Sequence, residues 1–134
     1  QRLDEPRPNG IFTAADDVQK ERTMSYHMFF WFNLAEGHEL PPVARNLHAF
    51  ADELIAEDLL VSMTPVATRH LHPVLDTATD IAQLYFTKMT FRDLKQANAS
   101  VKRLYGPGGE SGNLHTSIIA QVTDAVFLCA QETP

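Results

Sequence analysis

A chain of 134 residues is close to the commonest size of a single domain and long enough to bury a hydrophobic core. With 44% hydrophobic and 21% charged residues it has the balance of a soluble globular protein, and no apolar run approaches the roughly 20 residues that cross a bilayer. A net charge of −6 without a Lys/Arg cluster argues against nucleic acid as a partner, and a lone cysteine, Cys129, excludes an internal disulfide framework and fits a reducing, cytoplasmic setting.

Residues 1–23 are polar and broken by Pro6, Pro8 and Gly10, and no apolar core of a signal peptide is visible among them. Thr13 offers an N-cap with Asp16 in the first turn, which predicts a short helix over about 13–22. The segment reads as an arm appended to a domain of residues 24–134. Ile11, Phe12 and Val18 are its only apolar anchors, and ordering its backbone costs about 1–2 kcal/mol per residue. The expectation is therefore that Ile11 and Phe12 dock, against a partner subunit sooner than their own.

The stretch Ser25–Leu34, SYHMFFWFNL, predicts a central β-strand. Alternation sends Tyr26, Met28, Phe30, Phe32 and Leu34 to one face and His27, Phe29, Trp31 and Asn33 to the other. The first set suits packing under helices. The second mixes rings with an imidazole and an amide, as a cavity wall or subunit interface would.

Pro41 and Pro42 start a helix over 41–58, where Val43, Leu47, Phe50, Ala51, Leu54 and Ile55 form one apolar stripe. Leu60–Thr68 is rich in β-formers but contains Pro65, which predicts an edge or bulged strand. A loop around Pro73 leads to a third strand over 80–89, alternating Ile81, Gln83, Tyr85, Thr87 and Met89 against Ala82, Leu84, Phe86 and Lys88. A helix follows over 92–105, with Leu94, Ala97, Val101 and Leu104 on its apolar face and Gly106 as its stop. After the loop GPGGESG, a short helix runs from Asn113 to about Val122, and the apolar run Ala125–Ala130 predicts a buried last strand.

The order β-α-β-β-α-(α)-β is that of the split βαβ, an α+β ferredoxin-like fold with a four-stranded antiparallel sheet and helices on one face. The strand YHMFFWFNL, the helix LHAFADELIAEDLL and the closing LHTSIIAQVTDAVFL resemble the dimeric α/β-barrel group of ferredoxin-like proteins. Within it they are most similar to small, functionally uncharacterised bacterial proteins with a similar Tyr-His opening and a Val-Thr-Asp step before the last strand. The resemblance spans about residues 25–131 and implies a homodimer whose two sheets pack face to face into a barrel. Relatives of that group include cofactor-free monooxygenases, haem-degrading enzymes, polyketide cyclases and stress-related proteins, so the fold leaves the chemistry open.

The functional expectation is a small apolar or aromatic molecule bound in a cavity between sheet and partner, touched by His27, Phe29, Trp31, Asn33, Tyr85 and Thr87, with no cofactor. His27 is the one catalytic candidate, since a neutral imidazole suits proton abstraction; a hydrogen-bonded structural histidine is the plain alternative. Two other readings stand beside it, an assembly module with dry sheet-to-sheet packing and a cofactor-free monooxygenase or cyclase. His70 and His72 make two metal ligands on an extended segment, which is too few for a site and fits loop histidines better. His27, His48 and His115 are possible haem ligands with nothing to choose among them. GPGGESG lacks the Lys-Ser/Thr of a P-loop, and Cys129 lacks a neighbouring base and reads as a small core residue.

Overall fold

The computed structural model describes residues 24–105 and 112–134. The expected arm helix, the docking of Ile11 and Phe12, and most of the GPGGESG loop lie outside the described residues. Within them the chain runs β1 (Tyr26–Leu34), α1 (Leu40–Ala56), β2 (Ser62–Met63), β3 (Ala67–Thr68), β4 (Tyr85–Phe91), α2 (Leu94–Tyr105), α3 (Gly112–Gln121) and β5 (Val122–Gln131). The sheet order is β2-β4-β1-β5 with β3 also on β4, and each pairing is antiparallel. Pro65 has no N–H to donate, so the edge strand splits into β2 and β3 on either side of it. Counting that split strand once gives the ferredoxin-like sheet.

Residues paired across antiparallel strands share a face, and the registers therefore fix both surfaces of the sheet. Phe30 and Phe32 are buried on the helix side with Thr87, Met89 and Phe91, their register partners or near neighbours on β4. The alternation read from β1 thus holds. The stripe Val43, Leu47, Phe50, Ala51 and Leu54 of α1 completes the core beneath them. This helix ends two residues earlier than its pattern suggests, because Asp58 adopts φ 59° and Leu59 N–H reaches back to the Leu54 carbonyl at 2.8 Å.

Three expectations need correction. The third strand begins at Tyr85, not near residue 80, since residues 81–84 are drawn out of the ladder: the Ile81 carbonyl accepts from Arg69, the Ala82 carbonyl from Asn33, and Leu84 N–H donates to the Asn33 side chain. On α2, Leu94 and Val101 are exposed while Gln96 and Ser100 are buried beside Ala97. The polar pair goes inside because the end of α1 offers it acceptors. Gln96 Nε2 donates to the Asp58 carbonyl at 3.0 Å, and the Ser100 hydroxyl donates to the Leu59 carbonyl. Gln96 Oε1 also accepts from Arg92 N–H at 2.7 Å, while Asp93 caps the helix by accepting from Gln96 N–H at 2.8 Å.

The last strand departs furthest from its expectation. β5 is longer than Ala125–Ala130, and from Thr123 to Gln131 its residues are exposed, with Phe127 and Leu128 more than half so. It lies at the sheet edge, and among the described residues no helix covers its helix-side face. Between Trp31 and Asn33 the register with β1 slips by one residue, a bulge at which Asp124 takes φ 54°.

Candidate functional site

On the face free of helices, Phe29 and Trp31 of β1 flank Phe86 of β4. Trp31 lies 4.5 Å from Phe86 between ring centroids and Phe29 lies 6.0 Å from it, with Val126 and Leu128 of β5 opposite Trp31 and Phe29. These side chains make one apolar strip. His27 stands at its end with both ring nitrogens engaged, Nδ1 at 3.0 Å from the Thr90 hydroxyl and Nε2 at 2.8 Å from Glu132 Oε2. The imidazole beside it holds the Glu132 carboxyl below its usual range. A histidine saturated in this way ties the start of β1 to the residue after β5, which is the structural alternative for His27.

Asn33 is also committed. Its Nδ2 donates to the Ala82 carbonyl at 3.3 Å and to Asp124 Oδ2 at 3.2 Å, and its Oδ1 accepts from Leu84 N–H at 2.9 Å. It stitches a loop to the bulge. Tyr85 and Thr87 do not join the His27 face at all: they pair with Phe32 and Phe30 and point to the helix side, where Thr87 is fully buried and donates to the Thr64 carbonyl at 2.7 Å. The strand register, one residue away from what that grouping required, is the reason. Of the six expected ligand contacts, only Phe29 and Trp31 remain on this face without a polar commitment, each partly buried.

One of the two loop histidines is spoken for as well. His72 Nδ1 accepts from the Val74 and Leu75 N–H groups at 3.1 and 2.8 Å, a turn-forming role, and no group of three potential metal ligands occurs among the described residues. Beside Trp31 an open recess is bordered by Arg69 and Asp76, but that ion pair is bidentate at 2.7 Å and Arg69 further donates to the Ile81 and Ala78 carbonyls. It staples the long loop shut.

The sequence placed a cavity between the sheet and a partner; among the described residues of the single chain an open, apolar cavity lies on the opposite side, between sheet and helices. It measures about 560 Å³ and is walled by Met28, Phe30, Phe127 and Cys129 of the sheet, Leu47 and Phe50 of α1, Val101 and Leu104 of α2, and Ile118 of α3. It exists because α3 leans on α1, where Asn46 Nδ2 donates to Gln121 Oε1 at 3.0 Å, and leaves β5 uncovered. Pockets of such volume, mostly apolar with a few polar groups, are the usual form of a small-molecule site.

The polar groups of this wall include Tyr26, Tyr105, His115 and Asp124. Tyr26 is hydrogen-bonded to the thiol of Cys129, which pushes its phenol above the usual value. His115 stacks on Phe50 with ring centroids 5.3 Å apart, and its Nε2 lies 3.2 Å from the Tyr105 hydroxyl oxygen. Burial holds its imidazole below the ordinary pKa, and its buried Nδ1 has no hydrogen-bond partner among the described residues. As a residue on a short helix of weak pattern, His115 carried no sign in the sequence that it would meet Phe50 and Tyr105. Its place as third residue after the helix start was the only available clue.

The topology is the ferredoxin-like one. No protein-family model and no curated protein matches the sequence. Among solved structures, the hydroxynitrile lyase from Passiflora edulis is similar with a TM-score of 0.60 at 9% identity, over 82% of this chain and 94% of that one. A protein from Arabidopsis thaliana is similar at 0.56 and 7% identity, over 82% and 96%. A dabb family protein with a ferredoxin-like fold from Mesorhizobium loti gives 0.48 at 13% identity, over 83% and 97%. At these identities the likeness is one of fold alone.

Proposed function

We propose that this chain binds a small, largely apolar molecule in the cavity between its sheet and its helices. The observation that carries the reading is the cavity of about 560 Å³ itself, apolar over most of its wall and bordered by a partly buried imidazole. A second copy of the chain covers the strip of Phe29, Trp31 and Phe86 on the other face, because rings of that size are costly to leave against water. Among the described residues no helix is long and apolar enough to cross a membrane.

The rival reading, an assembly module, draws on that apolar strip and needs no ligand. The enzymatic alternative, a cofactor-free monooxygenase or cyclase, requires a titratable group at the cavity, and His115 is one. A native mass spectrum of the purified protein separates the first two: a two-subunit species with retained small-molecule mass supports the proposal. Dimers without retained mass, together with alkylation of Cys129 that apolar probes fail to slow, favour the assembly module. Cys129 serves here because it is the sole cysteine and lines the cavity.

A further inference from the structure

Tyr105 closes α2 and lines the cavity while remaining 66% exposed, so its hydroxyl stands at the opening. Three other polar groups of the wall are already engaged: Tyr26 with Cys129, Ser100 with the Leu59 carbonyl, and Asp124 with Asn33. The state of Tyr105 depends on His115, whose Nε2 is 3.2 Å away. A neutral imidazole carries one proton. If that proton sat on Nδ1, a buried N–H would be left without an acceptor; if it sits on Nε2, it is donated to the Tyr105 oxygen and only a lone pair is left unpaired. The second arrangement is the cheaper one. Stacking on Phe50 holds the ring in place for it.

A hydroxyl oxygen that accepts a hydrogen bond becomes a better donor through its own proton, and that proton has to point away from His115. We propose that Tyr105, oriented by His115, donates a hydrogen bond to an acceptor oxygen of the cavity ligand, which makes that ligand a small apolar molecule bearing a carbonyl group. Tyr105 is then the contact residue and His115 a positioning residue. This assignment rests on the cavity reading given above.

The test uses two fluorescent probes of nearly equal size, 2-acetylnaphthalene and 2-ethylnaphthalene, titrated into the whole chain with Cys129 alkylation followed in parallel. Tyr105→Phe, at an exposed position that leaves the core intact, is expected to weaken the acetyl probe about three- to ten-fold while leaving the ethyl probe unchanged. His115→Phe keeps a ring against Phe50 but removes the Nε2 proton, and it is expected to reduce the acetyl preference in the same direction without moving the ethyl probe. If both probes bind and slow alkylation, yet Tyr105→Phe shifts them equally or not at all, the Tyr105 assignment is overturned and the cavity reading stands. If neither probe binds or protects Cys129, the cavity reading falls and this one with it.

Discussion

Asn33 donates from Nδ2 to Asp124 Oδ2 across 3.2 Å, and Asp124 is the residue in the left-handed region at the bulge of β5. A non-glycine residue there costs about 1–2 kcal/mol, so the side-chain bond matters to the local backbone. Gln83 Nε2 adds a second tie by donating to the Asp124 carbonyl at 2.8 Å. Asn33→Ala removes three hydrogen bonds at once and is expected to lower stability by about 1–3 kcal/mol. Urea unfolding at constant slope measures it, and a midpoint like that of the wild type would show that water replaces the amide.

Trp31→Ala tests the bare face. Its ring touches Phe86 but no helix-side core residue, so truncation is expected to weaken self-association by at least about 2 kcal/mol, or roughly 30-fold, with a smaller effect on the fold. Phe32→Ala, in the core with no exposure, should instead destabilise the fold by about 3–5 kcal/mol. Sedimentation of the two variants distinguishes them. An unaltered association state in Trp31→Ala would remove the strip as the contact between copies.

Burial of His115 sets a pH dependence whose sign is fixed. Its folded pKa lies below the usual 6.5, so on acidification the unfolded chain takes up the proton first and stability falls from about that pH downward; above it the contribution is flat. His115→Asn should flatten the fall in melting temperature as pH drops below 6.5. A variant with the wild-type slope would mean that other groups carry the acid sensitivity.

Gln96→Leu leaves the partly buried Arg92 N–H and Asp58 carbonyl without their side-chain partner. Each orphaned group costs about 1–3 kcal/mol, and the summed loss is expected to be about 2–4 kcal/mol. Gln96→Glu keeps the acceptor for Arg92 and loses the donor to Asp58, so chemical denaturation of the two variants apportions the cost between them. Equal losses would place all of it on the Asp58 carbonyl.

The parts of this fold that were legible in the sequence are those decided by local spacing. The alternation of β1 assigned Phe30 and Phe32 inward and Phe29 and Trp31 outward, the stripe from Val43 to Leu54 gave α1, and Pro65 gave the broken edge. What was not legible depended on a partner elsewhere in the chain. Tyr85 and Thr87 could not be assigned a face without the register to β1. Gln96 and Ser100 were not among the residues assigned to the inner face of α2, because the carbonyls that receive them belong to the end of another helix. His115 was named only as one of three interchangeable haem-ligand candidates: its surroundings are Phe50 and Tyr105, and no spacing connects those three. Periodicity reports that β5 is apolar, but which elements cover it is a matter of how α3 leans, and the strand proved open on both sides.

The two edges of the sheet differ in kind. On one side Pro65 cuts the border into two fragments of two residues each, which cannot template a further strand; on the other, β5 offers ten continuous residues of backbone. Growth by strand addition is therefore directional. Were two sheets to join along β5, both outer borders of the product would be interrupted ones, and a third chain would find nowhere to extend the ladder. The proline that splits one strand thus limits extension of the sheet on that side and leaves β5 as the longer free border among the described residues.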